Sequence, residues 1–151
     1  MGRPRGPQQA AAPLWTKCRL RPRTGHNERR GNAMADIQRH HTGARISRVV
    51  VHNGVAYLAG ILALQKRGGT VEEQTRDILA LIDRLLAEAG TDKSKLLTAT
   101  IYLADIRTAE EMNAVWEEWL PEGCAPARTT IEGKPTDRAH AVKIAVTAAV
   151  A

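Results

Sequence analysis

Cysteine is scarce in this chain. Two cysteines, Cys18 and Cys124, stand in 151 residues, one in a stretch poor in apolar groups and one beside an arginine, which is no disulfide framework. There is no Cys-x-x-Cys motif. His26, His40, His41, His52 and His140 do not pair with one another or with an acid at ligand spacing, so neither a metal site nor a histidine base is expected. No apolar run approaches the roughly twenty residues that cross a bilayer, and no charged segment leads into the apolar core of a secretion signal. These absences predict a soluble protein of a reducing, cytoplasmic compartment with no membrane partner.

Acidic residues are nearly missing from one region only. Residues 1–33 carry seven Arg, one Lys and one Glu, a net of +7 against +6 for the whole chain, so the remainder is close to neutral at −1. The pI near 9.8 would otherwise suggest nucleic acid, but it belongs to this leader, and nucleic acid is not an expected partner of the rest. With Pro, Gly, Gln and Arg and few sizeable apolar groups, residues 1–33 cannot offset the entropy of folding and are expected to be disordered. Three readings of the leader stand: an organelle transit segment, a phosphate-binding arm, and a stretch outside the natural product if translation begins at Met34. Residues 34–151 form the expected domain, long enough for one core.

Strand signals begin at Ile46. Val49–Val51 and Val55–Ala59 flank His52-Asn53-Gly54, and Asn-Gly between such runs predicts a hairpin. Thr70-Val-Glu-Glu73 is a capping-box pattern, and Ile78, Leu79, Ile82, Leu85, Leu86 and Ala89 supply one apolar stripe up to Gly90. Leu96–Ala104 reads as a strand. Thr108-Ala-Glu-Glu111 repeats the capping pattern ahead of Met112, Val115, Trp116 and Trp119, a second helix ending near Pro121. A short strand through Ile131 and a last one over Val142–Val150 complete a two-layer α+β domain. In that last strand Val142, Ile144, Val146 and Ala148 fall on one side and Lys143, Ala145, Thr147 and Ala149 on the other. Neither side is strongly polar after Lys143. A sheet with two largely apolar faces and helices for only one predicts a homo-oligomer with sheets turned inward.

The chemistry centres on Cys124-Ala-Pro-Ala-Arg128-Thr-Thr-Ile-Glu132. Pro126 biases Ala125 toward extended backbone and Thr129–Ile131 favour a strand, so Arg128 sits where a loop enters a sheet. A guanidinium mounted there offers a planar fork for a carboxylate. The alternative is an ordinary surface ion pair.

Three stretches, Val55-Ala-Tyr-Leu-Ala-Gly60, Met112-Asn-Ala-Val-Trp116, and Ala125–Glu132 followed by Val142–Ala148, together resemble the RidA family, also called YjgF/YER057c/UK114. The resemblance spans nearly all of the domain. It implies a chorismate-mutase-like fold, a mixed sheet of about five to six strands with two helices on one face, and a homotrimer with clefts between subunits. It also implies hydrolysis of reactive 2-imino or enamine acids to 2-oxo acids and ammonia, with no metal or organic cofactor. By the resemblance Arg128 grips the carboxylate of the small imino-acid ligand. The backbone at Thr130 and at Ala59-Gly60 lines the cleft, and Asn113 lies near it, its alternative being a solvated helix side chain.

Two departures stand out. Lys143 occupies the position of the family's water-orienting glutamate. It is a base if its pKa is depressed, a second anion contact if charged, or a cross-strand partner of Glu132. Arg45 replaces a tyrosine, as a further anion contact or as an exposed charge. The sequence around Cys124 shows no histidine spacing that marks a thiol nucleophile, and Trp116 and Trp119 read as core rather than as a stacking platform. The leading function is thus imine/enamine hydrolysis. Its alternatives are a non-catalytic small-carboxylate binder or regulatory module, and an RNA-binding, ribonuclease-type translation inhibitor supported only by the leader.

Overall fold

The computed structural model describes residues 36–150, so the leader lies outside the described residues. Strands β1 (Gln38–Thr42), β2 (Ser47–His52), β3 (Val55–Leu58) and β4 (Ile61–Leu62) precede helix α1 (Val71–Glu88). Strand β5 (Leu96–Leu103), helix α2 (Ala109–Trp119), β6 (Ala127–Glu132) and β7 (Val142–Ala149) follow. Local chemistry accounts for several boundaries. Asn53 and Gly54 turn the β2–β3 hairpin with φ of 51° and 74°, the left-handed pair that a two-residue turn requires. Thr70 Oγ1 accepts from Glu73 N at 3.2 Å while the Glu73 carboxylate accepts from Thr70 N at 3.0 Å, closing the capping box that starts α1.

The second capping box does not form. Thr108 Oγ1 donates instead to the Asp105 carbonyl at 2.7 Å, because a 3₁₀ turn over Ile106–Thr108 precedes α2 and Asp105 caps that turn. Hydrogen bonds from the Arg107 side chain and backbone hold the Asp105 carboxyl down at about 2. Asp105 is therefore ionised at neutral pH and keeps accepting from Arg107 N at 3.0 Å.

The strands make one mixed sheet in the order β1-β2-β3-β7-β5-β6, with β4 continuing the β3 row against β7. Only β5–β6 is parallel. Among the described residues the sheet has seven strands, six across with β4 in the row of β3, where about five to six were expected. Strand β1 was not expected, because Gln-Arg-His-His-Thr has no apolar alternation and is held on the edge by pairing with β2. The break between β3 and β4 adds the other. Residues of β7 alternate strictly, with Val142, Ile144, Val146 and Ala148 buried beneath both helices. They meet Ala99, Ile101 and Leu103 of β5, Ile78, Ile82 and Leu86 of α1, and Met112, Val115 and Trp116 of α2. Burial of each larger side chain there contributes about 1.5–3 kcal/mol.

The opposite face carries no helix. Tyr57, Thr98, Thr100, Tyr102, Ile131, Lys143, Ala145 and Thr147 share it by register, with Tyr57 48% and Ile131 41% exposed. No helix is long and apolar enough to cross a membrane among the described residues.

Candidate functional site

Strand β6 decides where the arginine points. Its parallel register sets Arg128 opposite the buried Ala99 and Thr130 opposite the buried Ile101. Arg128, Thr130 and Glu132 therefore lie on the helix side of the sheet, and Ala127, Thr129 and Ile131 on the open side. The Arg128 guanidinium carbon stands 5.6 Å from the centroid of the Trp116 ring, within cation–π range. Trp116 is itself only 3% exposed and packs 5.3 Å from Trp119, whose indole N–H donates to Asp83 at 2.9 Å. The arginine thus rests on a wall that is anchored in the core. Trp116 and Arg128 line a cavity of about 250 Å³ together with Glu117, Leu120, Ala125 and Pro126.

Among the described residues Arg128 makes no ion pair. Two further polar atoms sit on the same faces of strand and helix: Thr130 Oγ1 and Asn113 Oδ1 are buried without a hydrogen-bond partner, while Asn113 Nδ2 donates to Glu110 at 3.3 Å. A buried polar atom left so costs about 1–3 kcal/mol, and such atoms concentrate where a ligand or water completes a site. Asn113 precedes Trp116 by one helical turn and Thr130 follows Arg128 by one strand repeat, and neither lines the Arg128 cavity.

The other candidates occupy the open face. Tyr57 pairs with Thr147 and Ile61 with Ile144, so four steps along β3–β4 match three along β7 and the extra residue is a bulge at Ala59-Gly60. Ala59 N donates to the Arg48 carbonyl at 3.0 Å. A Cβ on Gly60 would lie 2.9 Å from Lys143 Cδ, because the lysine stem crosses directly above this glycine. The Lys143 ammonium then reaches over Tyr102, 4.3 Å from the ring centroid. Ala59 and Gly60 line a second cavity of about 180 Å³ with Ile46, Arg48, Ile61, Leu62 and Leu64. Arg45 is exposed in the β1–β2 turn beside Ile46 and does not line that cavity.

Arg128 and Lys143 consequently do not meet within one protomer. Lys143 aligns with Tyr102 and Arg128 with Ala99, an odd separation that puts them on opposite faces. The Lys143–Glu132 pair, one of the three readings of the lysine, does not form among the described residues for the same reason: Glu132 lies on the helix side, where its carboxylate accepts from Ile106 N at 3.1 Å. The reading of Trp116 as plain core was incomplete, since one face of the buried ring carries Arg128. Glu117, which the sequence did not single out, lines the same cavity from the residue after Trp116. Among the described residues no histidine joins a group that could hold a metal, His41 lying beside Glu88 at 2.5 Å and His140 against the Ala63 carbonyl at 3.0 Å.

The glycine at the bulge yields a direct test. Gly60→Ala is expected to destabilise the fold by about 1 kcal/mol and to push Lys143 off Tyr102. Lys143→Ala in the same chain should remove most of that cost, and urea denaturation of the four-member mutant cycle measures the coupling. Additive effects would mean that the lysine stem does not occupy this space.

A family sequence model described as endoribonuclease L-PSP matches residues 37–150. A RutC family protein of Haemophilus influenzae is 41% identical over 112 residues, covering 74% of this chain and 97% of its own. The RutC family protein YoaB of Escherichia coli is 38% identical over 107 residues, 71% of this chain and 92% of its own. Among solved structures, a YjgF family member from Neisseria meningitidis superposes with a TM-score of 0.75 at 40% identity, covering 78% of this chain and 98% of that one. A putative translation initiation inhibitor from Salmonella typhimurium gives 0.70 at 34% identity, with 77% and 99% covered.

Proposed function

The chain belongs to the YjgF/RidA family, whose model carries the description endoribonuclease L-PSP, and from that premise we propose that it hydrolyses small 2-imino or enamine acids to 2-oxo acids and ammonia. The observation that carries this reading is the Arg128 fork, unpaired among the described residues and backed by a buried tryptophan at the wall of a small cavity. Two parallel N–H donors match one carboxylate. A cavity of about 250 Å³ is below the volume typical of drug-sized ligands, which suits an acid of a few carbons. In the reaction, water adds to the imine carbon and the C–N bond breaks, releasing ammonia and leaving a carbonyl. The partnerless Thr130 and Asn113 atoms, one strand repeat from Arg128 and one helical turn from Trp116, are polar groups suited to the imine nitrogen or that water.

The assembly that goes with this reading is a homotrimer whose open sheet faces meet and whose clefts lie between subunits. It is supported by the exposed Tyr57 and Ile131 on a face that has no helical cover. Across such an interface the Lys143–Gly60 cluster of one protomer would approach the Arg128 cavity of its neighbour.

A second reading, a non-catalytic binder of small carboxylates, is favoured by Lys143. Counted without gaps from Arg128, the resemblance assigns Lys143 the place of the family's water-orienting glutamate, and its ammonium is engaged with Tyr102. The two readings separate in one assay, in which 2-iminopropanoate is generated in situ and ammonia release is compared with buffer. Saturable acceleration supports the hydrolase. No acceleration with propanoate binding retained supports the binder, and loss of both sinks the arginine site altogether.

A further inference from the structure

We propose that Glu117 is the second recognition group of the Arg128 cavity and that it selects acids carrying a protonated nitrogen next to the carboxylate. The inference rests on the Arg128 reading above and deepens it by naming the charge state of the ligand. Glu117 and Arg128 line the same cavity of about 250 Å³, one from α2 and one from β6. They form no ion pair with each other, and among the described residues the Glu117 carboxylate makes neither a hydrogen bond nor an ion pair. Two other glutamates of the helix are engaged. Glu118 pairs with Arg76 at 2.9 Å and Glu110 accepts from Asn113.

The position of Glu117 also runs against the helix. It sits in the last turn of α2, which has no basic residue, and there the exposed carbonyls already concentrate negative charge, so an anion is disfavoured by about 0.3–1 kcal/mol. A cation arriving beside Glu117 and those carbonyls relieves that repulsion. Leu120, which ends the helix, lines the same cavity. The cavity is therefore polarised, positive at the strand and negative at the helix end. A plain carboxylate satisfies only the first pole. A 2-amino acid or a protonated 2-imino acid presents an anion and a cation on adjacent carbons and satisfies both.

The test uses the full chain and two stable probes, propanoate and alanine, the latter standing in for the short-lived protonated imino acid because it shares the carboxylate and the cationic nitrogen. Calorimetric or NMR titration of the wild type is expected to show alanine bound about fivefold to tenfold more tightly than propanoate, the scale of one partly screened charge contact. Glu117→Gln should bring the two within about twofold, by weakening alanine and, with one anion fewer in the cavity, modestly strengthening propanoate. Arg128→Gln should weaken both. Equal wild-type affinities, or a preference that survives Glu117→Gln, would overturn the role of Glu117 while Arg128-dependent propanoate binding kept the functional reading intact. Propanoate binding that ignores Arg128→Gln, or no binding of either probe, would remove the arginine site and this inference with it.

Discussion

Arg128→Ala is expected to lower kcat/KM for imine hydrolysis by about 10²- to 10⁴-fold, with the melting temperature nearly unchanged. The estimate follows from removing two charge-assisted hydrogen bonds of about 1.5–3 kcal/mol each, both of which orient the reacting carbon. The fold should not notice, because Arg128 is exposed on an edge strand and Trp116 keeps its contact with Trp119 and the core. Arg128→Lys should recover only part of the loss, since a single ammonium cannot grip both carboxylate oxygens in one plane. Initial rates with in situ substrate, alongside thermal denaturation, give the answer. A decrease smaller than about fivefold would say that the carboxylate is held elsewhere.

Ala145→Glu addresses the other half of the proposal. Ala145 lies in the middle of the open face, opposite Thr100 on β5, and its side chain points away from the helices. A carboxylate there leaves the protomer's own core untouched, yet in a face-to-face assembly it would be buried without a partner, which costs about 3–5 kcal/mol. The expected result is a shift from oligomer to folded monomer, seen by analytical ultracentrifugation as association weakened by at least about 10²-fold. Hydrolysis should fall with it if the cleft is shared. A wild-type protein that sediments as a monomer would remove the assembly from the proposal, and an active Ala145→Glu monomer would place the whole site within one chain.

Much of the fold was legible because the deciding interactions are local. Asn53-Gly54 turns a hairpin by its own backbone preferences, and Thr70 with Glu73 closes a helix start within four residues. The strict alternation of β7 follows from its central place, with one face under the helices. The misses are equally physical. Strand β1 is written in polar residues and exists because β2 offers it an edge. At Thr108 the local pattern promised a cap, but Asp105 and a tighter turn took the first amides.

Taken alone, the residues determined that an arginine would stand at the mouth of a strand, because Pro126 and the β-branched Thr129–Ile131 set that geometry within a few bonds. Only tertiary structure decided which way it faces and what stands behind it. The β5–β6 register puts Arg128 against Trp116 and in one cavity with Glu117, and the β5–β7 register sends Lys143 to the other side over Tyr102. A one-residue change of register would exchange those faces. That choice is made by burial of side chains distant in sequence, which no local pattern around Arg128 records.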